Sequence, residues 1–84
     1  MFLHIEHFEF KGGYSLKVRF NNGIEKDVDL SNELYGEVFE PLKDESYFRK
    51  AFLNRDTNTI EWPNGADFAP EFLFEIGKEV RRSA

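Results

Sequence analysis

The stretch YSLKVRFNNGIEKDVDL, residues 14 to 30, constrains the fold more than any other part of the chain. Tyr14, Leu16, Val18 and Phe20 alternate with Ser15, Lys17 and Arg19, the period of a half-buried strand. Ile24, Val28 and Leu30 alternate in the same way with Glu25, Asp27 and Asp29. The turn between them follows from the faces. A two-residue Asn22-Gly23 loop sets Phe20 against Glu25 and mixes apolar with charged positions. A three-residue loop, Asn21 to Gly23, sets Phe20 opposite Ile24 and Leu16 opposite Val28. It also places Arg19 opposite Glu25 and Lys17 opposite Asp27, pairs worth roughly 0.2–1 kcal/mol each. Gly23 then falls at the left-handed position such loops require. Lys26 is the single misfit on the inner face, which places it at a sheet edge.

The remaining elements assemble around this hairpin. HIEHFEF, closed by Gly12-Gly13, reads as a first strand. Ser31 caps one short helical turn through Tyr35, stopped by Gly36, and VFEPL is irregular. Asp44 caps a short helix, ESYFRK, with Tyr47 and Phe48 turned inward. A second hairpin has Arg55 to Asn58 as its loop, Leu53 against Ile60, Ala51 against Trp62, and Asn58 in the left-handed conformation. The last element is a helix from about Phe68 to Arg81, with Leu73, Ile76 and Val80 on one stripe, Phe72 beside it, and Arg81 and Arg82 at its C-terminus. The predicted architecture is a small single α+β domain over residues 1–84. It has a mainly antiparallel sheet (two β-hairpins plus an N-terminal strand), short helical turns and a C-terminal helix.

Composition narrows the function classes. A chain of 84 residues holds one small core, and the 17% aromatic content fills it without a disulfide, there being no cysteine. Thiolate zinc sites and cysteine nucleophiles are thereby excluded, and a reducing, cytoplasmic setting is expected. The N-terminus lacks a basic start, so no signal peptide is expected, and no apolar run approaches the ~18 residues of a membrane span. The net charge of −5 comes from the middle of the chain: residues 25–45 carry eight acidic groups against Lys26 and Lys43. Nucleic-acid binders show the opposite sign, so direct nucleic-acid binding is not expected, and an acidic surface suits a basic protein partner.

The motif WPNGAD, residues 62–67, admits two readings. In the architectural one, Trp62 ends a strand with its ring in the core, Pro63 stops pairing, and Asn64-Gly65 reverses the chain. Asp67 then caps the helix through the N–H of Ala69, with Pro70 in its first turn. In the functional one, Asn64 and Asp67 beside the Trp62 ring bind a partner's backbone. His4 and His7 fall on opposite strand faces and lack a third ligand, so no metal and no cofactor is expected. Glu25, Asp27 and Asp29 line one strand face opposite Lys17 and Arg19, and catalytic acids need burial that such a face does not give. No catalytic residue emerges, and an enzyme is not expected.

LKVRFNNGIEKDVDLS, VFEPLKD, FRKAFL and TIEWPNGADFAPEFL together resemble the small bacterial family catalogued as domain of unknown function 2442, with WPNGAD as its most specific mark. The resemblance covers the chain from Tyr14 to about Glu75. It implies a stand-alone domain, or one fused to a helix-turn-helix module, and in some members a gene pair similar to toxin–antitoxin pairs. It carries no assigned catalytic residue. No helix-turn-helix pattern is present up to Ala84, so direct transcriptional control is not expected.

The leading expectation is a cytoplasmic protein-interaction module, antitoxin-like, that binds a basic, toxin-like partner. Its surface would combine Glu25, Asp27 and Asp29 with the corner Trp62, Asn64 and Asp67. Two alternatives stay open. One is a nucleic-acid-associated regulator acting with a partner or as a homo-oligomer. The other is a small ligand-binding domain or enzyme using the Asn64/Asp67 corner.

Overall fold

Alternation in the first half of the chain becomes a meander of three antiparallel strands in a computed structural model that describes residues 2–80. They are β1 (Ile5–Gly12), β2 (Ser15–Phe20) and β3 (Glu25–Asp29). A 3₁₀ turn (Glu40–Lys43) and a single helical turn, α1 (Glu45–Phe48), lead to a second hairpin, β4 (Phe52–Asn54) and β5 (Thr59–Glu61). Helix α2 (Pro70–Ile76) follows, and then a two-residue strand, β6 (Lys78–Glu79). β6 pairs antiparallel with β3, giving one sheet in the order β1-β2-β3-β6 beside the separate β4-β5 pair. The α+β architecture, with antiparallel sheets and short helices, is the one the sequence predicts.

The β2–β3 register is the deduced one: Leu16 faces Val28, Lys17 faces Asp27 and Arg19 faces Glu25. The three-residue loop is closed by Phe20 N–H donating to Ile24 O at 2.9 Å, with Gly23 at φ 85°. In the second hairpin Leu53 faces Ile60, and Asn58 is left-handed at φ 58°. Its ladder ends at Phe52 and Glu61, so the expected pairing of Ala51 with Trp62 lies beyond it. Asp44 caps α1 as predicted, its carboxylate accepting from Ser46 N–H at 3.0 Å, and Phe48 is buried.

Three elements depart from the sequence reading. Residues 31–33 form a turn rather than a helical turn, organised by Asp29 accepting from Ser31 N–H at 2.9 Å. VFEPL is not wholly irregular, because Pro41 with its fixed φ starts the 3₁₀ turn. The third departure is the largest. The last helix stops at Ile76, and Val80 lies beside β3, its N–H donating to Glu25 O at 3.0 Å. Arg81 and Arg82, read as completing the helix, lie outside the described residues.

Lys26 explains the early stop. It is not at a sheet edge, since β6 covers β3 on its far side. Its ammonium lies 3.6 Å above the Phe74 ring and donates to Phe74 O at 2.6 Å, one of the last carbonyls of α2. Those carbonyls lack helical partners and carry partial negative charge, so a cation there stabilises the helix end. Gly77 lets the chain pass: a Cβ at this position would sit 2.9 Å from Leu73 O and 2.9 Å from Lys26 Cβ. The inward Lys26 and the glycine together turn helix into strand.

One apolar core joins the two sheets and α2. Leu16, Val18, Phe20 and Val28 supply the sheet side, and Phe48, Ile60, Trp62 and Leu73 the other. Gly77→Ala is expected to destabilise the fold by about 1–3 kcal/mol, because a backbone carbonyl must move to admit the methyl group. Gly23→Val, which meets no neighbour but demands positive φ, should cost roughly 1–2 kcal/mol. Urea denaturation midpoints check both; a Gly77→Ala variant as stable as the parent removes the close-approach explanation.

Candidate functional site

The WPNGA corner repeats the β2–β3 loop in hydrogen-bond detail. Trp62 N–H donates to Ala66 O at 2.9 Å, as Phe20 N–H does to Ile24 O. Gly65 N–H donates to Trp62 O at 2.9 Å, as Gly23 N–H does to Phe20 O. The Asn64 side-chain oxygen accepts from Ala66 N–H at 3.1 Å, as that of Asn22 does from Ile24 N–H at 3.0 Å. Gly65 has φ 89°. Asn-Gly at these positions suits the geometry, since asparagine closes the turn with its own side chain and glycine accepts positive φ. The corner is therefore a tight hairpin, not a direct strand-to-helix turn, and a bridge between Glu61 and Asp67 continues it.

This placement separates the three residues singled out here. Trp62 is fully buried, and its indole N–H donates to Phe48 O at 2.8 Å. Asn64 spends its amide as well, the Nδ2 group donating to Val38 O at 2.9 Å and tying the corner to the 36–39 turn. Both polar ends of Asn64 are thus committed within the chain. Asp67 is not the helix cap. The N-cap of α2 is Ala69, two residues later because the Glu61–Asp67 bridge holds Asp67 extended, and Pro70 opens the helix without needing a capped N–H. Asp67 is exposed.

The acidic row on β3 is interleaved with bases. Asp27 pairs with Lys11 at 3.0 Å and stands in register between Lys17 on β2 and Lys78 on β6. Its other oxygen, Oδ1, is buried without a hydrogen-bond partner. Glu25 faces Arg19. Asp29 holds the turn after β3; the Ser31 amide and then the Ser31 hydroxyl keep its carboxyl below the usual 3.8. Because the folded value is depressed, that stabilisation is present at neutral pH and is lost as pH falls through it. A cavity of about 430 Å³ opens beside this row between Lys11, Asp27, Asp29 and Lys78. Its charges largely answer one another, which leaves little for a partner. The row is a mixed polar face and does not join the WPNGAD corner.

A different cleft gathers uncommitted groups. Tyr35, Phe39, Phe68 and Phe72 wall a space of about 220 Å³, with Glu33 and Asp67 among its lining. Phe39 stacks on Phe68 at 4.8 Å between ring centres, and Phe68 on Phe72 at 5.7 Å, with planes 25° and 14° apart. Tyr35 is 70% exposed, a large ring left in water. No basic residue lines the cleft, and neither carboxylate joins an ion pair among the described residues. The exposed Tyr35 ring and two carboxylates outside any ion pair can hold a group that is flat, apolar in body and positive at its tip.

Of the residues read as binding, only Asp67 reaches this cleft. Glu33, Tyr35, Phe39, Phe68 and Phe72 were not visible as a group, because they come from segments brought together only by the fold. Tyr35 did carry a signal, lying next to Gly36 and belonging to no apolar period. Phe68 and Phe72 are spaced as neighbours on a helix, a pattern that reads first as core. Among the described residues no group of three histidines, aspartates or glutamates is placed to hold a metal ion, and no helix is long and apolar enough to cross a membrane.

The chain belongs to the family described as Protein of unknown function (DUF2442), whose family model matches residues 5–79. Comparison with curated proteins and with solved structures finds no significant match.

The geometry separates two neighbours in the motif. Asn64→Ala should lower stability by about 0.5–1.5 kcal/mol, since it removes the turn bond and the tie to Val38. Asp67→Ala should stay within about 0.5 kcal/mol of the parent, as for a surface residue that caps nothing. Equal losses in thermal or urea unfolding would restore Asp67 as a structural residue.

Proposed function

We propose that this chain is a protein-interaction module, antitoxin-like in working by direct contact with a basic partner, and that it acts in the cytoplasm. The observation that carries the reading is the cleft of Tyr35, Phe39, Phe68 and Phe72 beside Glu33 and Asp67. An exposed ring such as Tyr35 on a rigid aromatic support is a usual anchor of protein interfaces, and carboxylates beside it set the sign of what docks. The net charge of −5 acts in the same direction over longer range. A chain without cysteine is also indifferent to a reducing compartment. The contact surface is then the corner side of the molecule, through Asp67, rather than the Glu25/Asp27/Asp29 row, whose charges are offset by Lys11, Lys17, Arg19 and Lys78.

The test compares association rates with a partner co-purified from the native host, at two salt concentrations. Glu33→Lys/Asp67→Lys should slow association by roughly tenfold or more at low salt, with the difference shrinking as salt rises. Asp27→Lys/Asp29→Lys should have the smaller effect. The reverse ranking places recognition on the sheet face, and equal rates for all three proteins at both salts remove the electrostatic interface altogether.

A further inference from the structure

We infer that the cleft receives the guanidinium group of an arginine side chain presented by the partner, a deeper statement that rests on reading the cleft as an interface. Its size comes first. At about 220 Å³ it falls below the roughly 300–1,000 Å³ of sites that enclose small-molecule ligands, and it fits one inserted side chain.

Charge decides the class of that side chain. An apolar anchor would strip water from Glu33 and Asp67 and give nothing back, and a buried polar group without a partner is costly. An anion would meet like charge. A cation satisfies the carboxylates and at the same time can lie against the exposed ring of Tyr35.

Shape then favours arginine over lysine. The guanidinium is flat, weakly hydrated and able to stack on an aromatic face while its N–H groups reach a carboxylate in a fork. Phe39, Phe68 and Phe72 stack on one another, and the ring left in water for a flat group to lie on is that of Tyr35, 70% exposed. An ammonium is compact and holds its water more tightly, so it has more to lose on entering. The chain already shows both kinds of contact elsewhere, with Lys26 above Phe74 at 3.6 Å and Arg49 above Phe10 at 4.9 Å. The cleft differs in having the rings and the carboxylates but no cation of its own.

The experiment titrates the isotopically labelled full chain with N-acetyl-arginine amide, N-acetyl-lysine amide and N-acetyl-norleucine amide, following backbone amide shifts. Arginine amide should move signals of residues 33–35 and 67–72 with a dissociation constant in the millimolar range, lysine amide should bind at least about threefold more weakly, and norleucine amide should not bind. Glu33→Gln/Asp67→Asn, which keeps side-chain size, should weaken arginine amide about tenfold while leaving the rest of the spectrum unchanged. Norleucine amide as effective as arginine amide overturns the inference, as does an absence of shifts in the cleft up to saturating arginine amide. Binding at other signals only also overturns it. The interface reading is checked separately by Tyr35→Ala. If that variant loses the partner while arginine amide leaves the cleft silent, the cleft is an interface without a cation. If it keeps the partner while arginine amide binds the cleft, the interface reading fails and the cation site stands.

Discussion

A buried indole has to find an acceptor for its N–H, and the rest of this molecule is arranged around the one that Trp62 finds. The acceptor is Phe48 O, at the end of α1, where helical turns leave carbonyls without intrahelical donors. That single bond at 2.8 Å joins the WPNGA hairpin to the segment before the second sheet. The ring also packs against Phe48 at 5.5 Å and Phe68 at 5.9 Å. Phe68 in turn is held by its own backbone, since Thr59, a rare buried polar residue here, donates from its hydroxyl to Phe68 O at 2.5 Å. The cleft wall therefore stands on Trp62 from behind. A residue with no exposed surface thus fixes the position of the cleft wall.

Much of the architecture was legible because it rests on local rules. The faces of β2 and β3 determined their register, and the left-handed Gly23 and Asn58 were forecast from turn chemistry. Asp44 was read as a cap for the same reason. The failures have two causes. The turn after Asp29 and the 3₁₀ turn at Pro41 follow from local geometry that outweighed the expected one. The largest departure needed a partner far away in sequence. Lys26 looked misplaced until Phe74 O was beside it, and the helix seemed to run on because nothing nearby announces that Gly77 must pass Lys26 Cβ. Asp67 was a fair cap by spacing, yet the bridge to Glu61 holds it extended.

The same distinction applies to the site. An acidic strand face can be seen in the sequence, but its neutralisation cannot, because Lys11 and Lys78 arrive from other strands. Conversely, the cleft is made by two segments that each look ordinary alone. Glu33 and Tyr35 sit in a turn between Leu30 and Gly36, while Phe68 and Phe72 resemble the inner side of a helix. Charge counted along the chain finds the acidic row on β3 but not the bases that other strands set beside it.

The ammonium of Lys26 and the carbonyl it satisfies are 48 residues apart, and β6 beyond it closes the sheet. The other strand pairings are short hairpins, which form quickly because little chain entropy opposes them. Closure by β6 is the long-range event, and so belongs to the late part of the folding reaction. Stabilising or weakening it changes chiefly the rate at which the native state opens, while the rate at which the hairpins assemble hardly alters. The contact that closes the sheet at β3 ends on α2, the helix that also carries Phe72 of the cleft. Loosening the sheet edge is therefore expected to disturb the cleft wall as well.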